Sequence, residues 1–578
     1  MKRKLIYILF PLALLFACLG FAACGAPNEL AAPENLRIVN GILLWNEVKH
    51  ADGYYVYIDE NEYQTRECGY DVSGLDETQI HTLEVRAYNK KGLLSPYADL
   101  TYTGKFAVIT EGLEYTGGGS DYRVTKFAVD ENGSCVIPDT YQGLPVYGFD
   151  ATTTPIEILS RIKHLYLPNS IRDAFLTGSR MKYFPNLESI GLGGHEENFI
   201  IEGNCLINKE KNTLVVGCIG STIPDYVTTI GEDAFHGRNI TTIDMSNSVT
   251  QIGSSAFSHC TPLTTIDIPS SVTRIDGSAF ASCVQLTEFT VPNSVTMLGN
   301  AVFSDCTLLE KVILPERITT KSLMKTFSGC TSLKSVKIPE GVTVLSETFR
   351  DCTSLTDVTL PESAKSLSKT FRSCTSLKSV KIPESVTEMS ETFWFCSSLE
   401  SFTIPGTVKY PKSVFYGCTS LKSVTLAEGV EGLGATSSIS GAAWGFCEGC
   451  TSLTEVNFSS TVTSIGLGTF ANCTSLKSIV IPESVTEIWK LAFENCTSLK
   501  SIVIPESLTR IREYAFENCP IEEIYYHGTE AELKENVTID EYANETLLSA
   551  EWYFYSETQP EEEGNFWHYV NGVPTKWT

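Results

Sequence analysis

The sequence predicts a mostly β protein: a solenoid of short parallel strands with short helical turns, preceded by a small antiparallel β-sandwich. Two periodic residues and one alternation predict it. Phenylalanine recurs at Phe235, Phe257, Phe280, Phe303, Phe327, Phe349, Phe371, Phe393 and Phe415, then at Phe446, Phe470, Phe493 and Phe516. Twelve cysteines keep step with it, from Cys260 to Cys519. Ahead of them, short β-rich runs such as Gly53-Tyr54-Tyr55-Val56-Tyr57-Ile58 and Leu83-Glu84-Val85-Arg86-Ala87-Tyr88 are separated by turn residues, the pattern of an antiparallel sandwich.

The chain opens on Met1-Lys2-Arg3-Lys4, an apolar run from Leu5 through Phe16, and small residues. A basic start and a short apolar run describe a signal peptide over 1–24. Phe21-Ala22-Ala23-Cys24-Gly25 resembles a bacterial lipobox, which implies lipid attachment at Cys24 and two acyl chains holding the protein at a membrane. The family pattern prefers Leu where Phe21 stands, and free secretion is the alternative. A linker, 25–31, follows.

Residues 32–104 form the sandwich. Pro33, Leu36, Trp45, Gly53-Tyr54, Leu75 and Val85-Arg86-Ala87-Tyr88 resemble a fibronectin type III domain, in which Trp45 is a core residue and the module a spacer.

The repeated unit is plainest where Leu476-Lys477-Ser478-Ile479-Val480-Ile481-Pro482 is followed by Leu499-Lys500-Ser501-Ile502-Val503-Ile504-Pro505. Leu-x-x-Ile-x-Ile places apolar side chains on one face of a short strand, and proline stops the pairing. Val-Thr-x-Ile adds two inward positions, and Ala-Phe-x-x-Cys is a short turn whose Phe and Cys point inward. One unit cannot cover its own apolar edge, so units stack. The pattern resembles the BspA-like leucine-rich repeats. Regular repeats of 22–24 residues span 214–526, degenerate repeats or a cap span 105–213, and a C-terminal cap spans 527–578. Arg238 stands where the first regular unit would carry its cysteine.

The chain carries a formal charge of −26, which excludes nucleic acid, since phosphate binding needs clustered Lys and Arg. One thiol per rung, about 5 Å apart, cannot converge as a metal site does. The cysteines are expected as small buried hydrophobes, so neither metal nor cofactor is expected. Eight scattered histidines form no catalytic motif. His236 and His259 are expected as neighbours beside Asp233 and Ser258, taken as solvent-facing turn residues. No catalytic residue is assigned.

Binding is expected on the outward strand positions: Thr265 and Asp267, Glu288 and Thr290, Lys311 and Ile313, Ser335 and Lys337, Asp357 and Thr359, Ser379 and Lys381, Ser401 and Thr403, Ser423 and Thr425. Among the charged positions of this list, Lys337, Asp357 and Lys381 are taken as candidates, and the hydroxyls are equally well solvated strand residues. Cys450 follows Cys418 by 32 positions where the other steps are 22 to 24, an insertion within 431–446 that leaves as a loop. It makes Trp444 and Phe446 candidates, with a Trp folded back on the core as the alternative. Trp394, in Phe393-Trp394-Phe395, is another candidate. The resemblance implies an exported, lipid-anchored surface protein that binds extracellular protein or glycan without catalysis. An enzyme acting on glycans or peptides, and a passive envelope scaffold, are the alternatives.

Overall fold

In the computed structural model the described residues are 30–39, 42–59, 61–72, 74–75, 81–102, 110–193, 197–434 and 445–577. Cys24 and Trp444 lie outside them. The chain divides into two compact units, 1–109 and 110–578.

The first unit has seven strands: β1 (Arg37–Val39), β2 (Ile42–Leu44), β3 (Gly53–Ile58), β4 (Asn61–Thr65), β5 (Gly69–Asp71), β6 (His81–Tyr88) and β7 (Ala98–Tyr102). They form two sheets, β1-β2-β5 and β4-β3-β6-β7, with every pairing antiparallel. Alternation puts Leu43, Trp45, Tyr54, Val56, Leu83 and Val85 into one core. The indole of Trp45 meets Tyr54 edge to face at 5.1 Å.

The second unit is the solenoid. Its first part has a separate core running from Val124 to Cys218. There Ser134–Val136, His164–Leu167 and Ser189–Leu192 already stack in parallel. A meander of Phe199–Glu202, Cys205–Asn208 and Thr213–Gly217 leads into the regular array. Thr213–Gly217 then starts a parallel ladder through Thr229–Ile230, Gln251–Ile252, Arg274–Ile275 and Met297–Leu298. A second parallel series carries the Leu-x-x-Ile-x-Ile strands, among them Glu288–Thr290, Lys311–Ile313, Ser335–Lys337 and Asp357–Thr359. The strand series runs one rung past Tyr526: Glu551–Tyr555 pairs in parallel with Glu523–Tyr526.

The turn over Ala-Phe-x-x-Cys shows how rungs join. Ala256, Ser258 and Cys260 donate backwards within the rung, to Gly253, Ser255 and Phe257. The alternate amides of Ser255, Phe257 and His259 donate forward, to Gly277, Ala279 and Ala281 at 2.8–3.0 Å. This alternation requires left-handed backbone, φ 54° at Ser255 and 59° at His259, so the turn departs from a helix. The demand explains the Asn, Asp, Ser and Gly that recur at the equivalent of His259 in later rungs, for these tolerate positive φ best.

Inside, the phenylalanines stack. Successive rings from Phe235 to Phe415 lie 5.1–6.0 Å apart within 12° of parallel. The stack breaks at the insertion. Cys447, not Phe446, holds the phenylalanine place, because its N–H donates to Thr469 O as Phe257 donates to Ala279. Phe446 fills the alanine place and crosses Phe415 at 81°. One position of the periodic assignment is thereby corrected, and the local C-x-x-C spacing is a consequence of it.

Candidate functional site

The cysteine column is polar work as well as packing. Each of the twelve thiols of the column is buried and donates to a carbonyl one rung back: Cys283 to Phe257, Cys352 to Phe327, Cys396 to Phe371, at 3.0–3.2 Å. Burial pushes the Cys260 and Cys306 thiols up to about 12. Such thiols are neither nucleophiles nor metal ligands at neutral pH. No group of His, Cys, Asp or Glu among the described residues is arranged to hold a metal ion.

Arg238, in the column's first place, has no exposed surface. Its guanidinium donates to Gly217 O (3.0 Å), Phe184 O (2.8 Å) and Met181 O (3.1 Å). It closes carbonyls at the seam between the two cores, which a thiol is too short to reach.

His236 and His259 are neighbours, with ring centroids 5.0 Å apart. Asp233 and Ser258, expected in solvent, are instead buried, because the Asp233 amide and the amides on either side of Ser258 are tied to the next rung. Ser179 Oγ donates to Asp233 Oδ2 at 2.9 Å, and His236 Nδ1 lies 3.4 Å from Asp233 Oδ1. Burial alone would raise the Asp233 carboxyl, but the close approach of His236 and the hydrogen bond from Ser179 hold it below its usual value. Serine and histidine converge on the carboxylate rather than on each other, so the group is not a nucleophile relay.

The outward strand positions are where the alternation puts them. Glu288, Thr290, Lys311, Ile313, Ser335, Lys337, Asp357 and Thr359 are exposed about the buried Phe289, Val312, Val336 and Val358. Lys381 is exposed too. Register aligns them in two columns, one with Glu288, Lys311, Ser335 and Asp357, the other with Thr290, Ile313 and, further along, Lys337 and Thr359. These hydroxyls differ from those of the turns. Ser271, Ser363, Ser385 and Thr407 donate at 2.6–2.7 Å to a Val or Ala carbonyl one rung back, so they join rungs. The strand hydroxyls of Thr290, Ser335 and Thr359 make no side-chain hydrogen bond among the described residues, so they take no part in joining rungs.

The two columns change character toward the C-terminus. Val480 is 49% exposed, but Val503, Tyr525 and Tyr553, next in its column, are buried with Trp567. The hairpin of Phe566–Val570 and Val573–Lys576 covers them. Trp567 lies edge-on to Tyr525 at 5.5 Å, and Lys576 Nζ reaches Glu523 at 2.6 Å. The tail therefore shields outward positions of the strands.

Two candidates are corrected. Phe446 has no exposed surface, since it replaces an inward alanine. Trp394 is 7% exposed, held under Arg372 at 4.8 Å with its Nε1 donating to Ser413 O at 2.5 Å. The exposed ring of that cluster is Phe395, 42% exposed. Phe395 occupies the left-handed position, φ 60°, which turns the side chain outward; the alternation of handedness could have identified it.

A family profile described as "BspA type Leucine rich repeat region (6 copies)" matches residues 218–323, 323–440 and 435–542. No curated protein matches the sequence. Among solved structures, a leucine-rich repeat protein from Bacteroides ovatus is 25% identical, covering 78% of this chain and 100% of its own, with a TM-score of 0.50. A leucine rich cell surface protein from Faecalibacterium prausnitzii is 25% identical over 75% of this chain and 98% of its own, with a TM-score of 0.35. A leucine-rich repeat protein from Eubacterium ventriosum is 24% identical over 46% of this chain and 66% of its own, with a TM-score of 0.34.

Proposed function

This chain belongs to the BspA-type leucine-rich-repeat family, and from that premise we propose that it is an exported, non-enzymatic binding protein of a bacterial cell surface. It recognises extracellular protein or glycan through the outward strand columns. The observation that carries this reading is the uncommitted state of those columns. The turn hydroxyls are used in joining rungs, while Lys337, Asp357, Lys381 and the strand hydroxyls point to solvent at a spacing of about 4.8 Å per rung. Many weak polar contacts over such a strip suit an extended ligand. In this reading Cys24 carries a lipid and the N-terminal sandwich, a fibronectin type III-like module, spaces the solenoid from the membrane.

The test is retention of matrix proteins and glycans on an array, comparing the chain with a Lys337→Glu/Lys381→Glu variant and with a variant lacking 435–444. Loss of a retained ligand on charge reversal supports the strip. Retention unchanged in the reversed variant, or no ligand retained by any form, sinks it. Palmitate labelling that survives Cys24→Ala would take Cys24 out of the proposal, and no labelling of the unaltered chain would remove the lipid anchor.

A further inference from the structure

The turn ladder has an open end. In every rung from Gly237 to Asn495, the amide two places beyond the phenylalanine position donates to a carbonyl of the next rung; Asn472 reaches Glu494 O at 2.7 Å and Asn495 reaches Glu517 O at 2.8 Å. In the last rung, two of the three forward donors are closed by the segment that follows. Tyr514 N–H meets Tyr542 O at 3.1 Å, and Phe516 N–H meets Asn544 Oδ1 at 3.0 Å. The third, Asn518 N–H, has no acceptor among the described residues, and Asn518 is exposed. Its side chain also heads a column: Asn518 Nδ2 donates to Asn495 Oδ1 at 2.8 Å, and Asn495 Nδ2 to Asn472 Oδ1 at 3.2 Å. That leaves Asn518 Oδ1 as an acceptor at the terminus.

Asn518 borders a cleft of about 420 Å³ whose walls include Tyr514, Tyr542, Glu517 and Glu545. The two tyrosine rings meet edge to face at 5.0 Å, and Tyr542 is 68% exposed. Neither Glu517 nor Glu545 has an ion-pair partner among the described residues.

We propose that this cleft holds one neutral sugar residue of a glycan. A pyranose has an apolar C–H face for the electron-rich face of the exposed Tyr542 ring. Its hydroxyls both accept, as Asn518 N–H requires, and donate, as Asn518 Oδ1 and the two carboxylates require. Other ligand classes fit less well. An acidic sugar meets Glu517 and Glu545. A cation finds the Tyr514 ring face already taken by Lys490, whose Nζ lies 4.7 Å over it and pairs with Glu513 at 3.3 Å. An extended peptide needs a row of open amides, and here one is open. The site sits on the turns rather than on the strand columns, so the two readings stand or fall separately.

Saturation-transfer NMR on the purified chain tests it with methyl β-D-galactopyranoside, methyl β-D-glucopyranoside and N-acetylglucosamine as probes. N-acetylneuraminic acid and Nα-acetyl-lysine amide are the charged comparisons. The expected result is transfer to at least one neutral sugar, weakened about tenfold by Tyr542→Ala through loss of one stacking face. It should be unchanged in Lys337→Glu/Lys381→Glu and in Tyr410→Ala, an exposed tyrosine of another rung. Tyr542 is largely exposed, so its substitution spares the fold. Transfer to no neutral sugar, transfer indifferent to Tyr542→Ala, or transfer to the lysine amide alone would overturn the proposal.

Discussion

The thiol of Cys374 donates to the carbonyl oxygen of Phe349, one rung back, at 3.0 Å. That oxygen already accepts the N–H of Cys352 at 3.1 Å, so the thiol engages its second lone pair where water cannot reach. Cysteine recurs because the place demands a small side chain that packs among apolar neighbours and still donates. Replacing it separates the two demands. Cys374→Ala should cost about 1–2 kcal/mol, from a lost donor and a small void. Cys374→Ser keeps a donor and should cost less than alanine. Urea denaturation followed by amide exchange of the neighbouring rungs measures this, because repeat arrays open piecewise. A serine variant less stable than the alanine variant would mean the thiol is only filler.

Arg238 is a buried cation with no carboxylate partner among the described residues, held by carbonyls. Desolvation draws its pKa down, yet the hydrogen bonds keep the site intact. Arg238→Ala leaves several buried carbonyls unpaired and should destabilise by about 3–5 kcal/mol. Arg238→Cys restores the column's thiol but cannot span to Met181 and Phe184, so it should recover little. Hydrogen exchange should accelerate first over 181–217, and an unchanged exchange pattern there would refute the seam role.

The buried thiols carry a pH prediction. Their unperturbed value is 9.0, and burial raises Cys260, Cys306 and Cys218 to about 12 in the fold. A raised folded value means stability is complete below pH 9 and falls as the pH rises from 9 toward 12, because the unfolded chain ionises first. Melting temperature should hold from pH 7 to 9 and drop above it. Of the cysteines described, Cys68 alone is not buried. At pH 8 a thiol reagent should therefore label Cys68 in the native chain and the column only after denaturant, as mass mapping would show.

The aromatic cluster at rung 393–395 separates packing from surface. Trp394→Ala removes a buried indole under Arg372 and should cost about 3 kcal/mol. Phe395→Ser, at an exposed left-handed position, should change stability by no more than about 0.5 kcal/mol. Thermal melts of both variants decide it; equal losses would contradict the burial of one and the exposure of the other.

Much of the fold was legible because it is written locally. Leu-x-x-Ile-x-Ile sets a strand face by alternation, and the 22–24-residue period sets the stacking. The outward positions of Lys337 and Asp357 follow from that alternation alone. Other features were illegible because they depend on what lies one rung away. At Phe446 the phenylalanine period hid a signal that the cysteines held: Cys450 follows it by four residues where every other rung has three, so Cys447 is due the stacked place. Trp394 looked like an anchor by composition, but handedness, invisible in a hydrophobic pattern, turns Phe395 out and Trp394 in.

By itself the sequence determined the repeat, its inward residues and the thiol column, since each is a property of one unit repeated. Only the tertiary structure decided which carbonyl each thiol meets, which strand positions the Phe566–Lys576 hairpin covers, and that the ladder stops open at Asn518. Those are contacts between groups some 20 to 60 residues apart, and they are made by stacking geometry and hydrogen-bond direction rather than by periodicity.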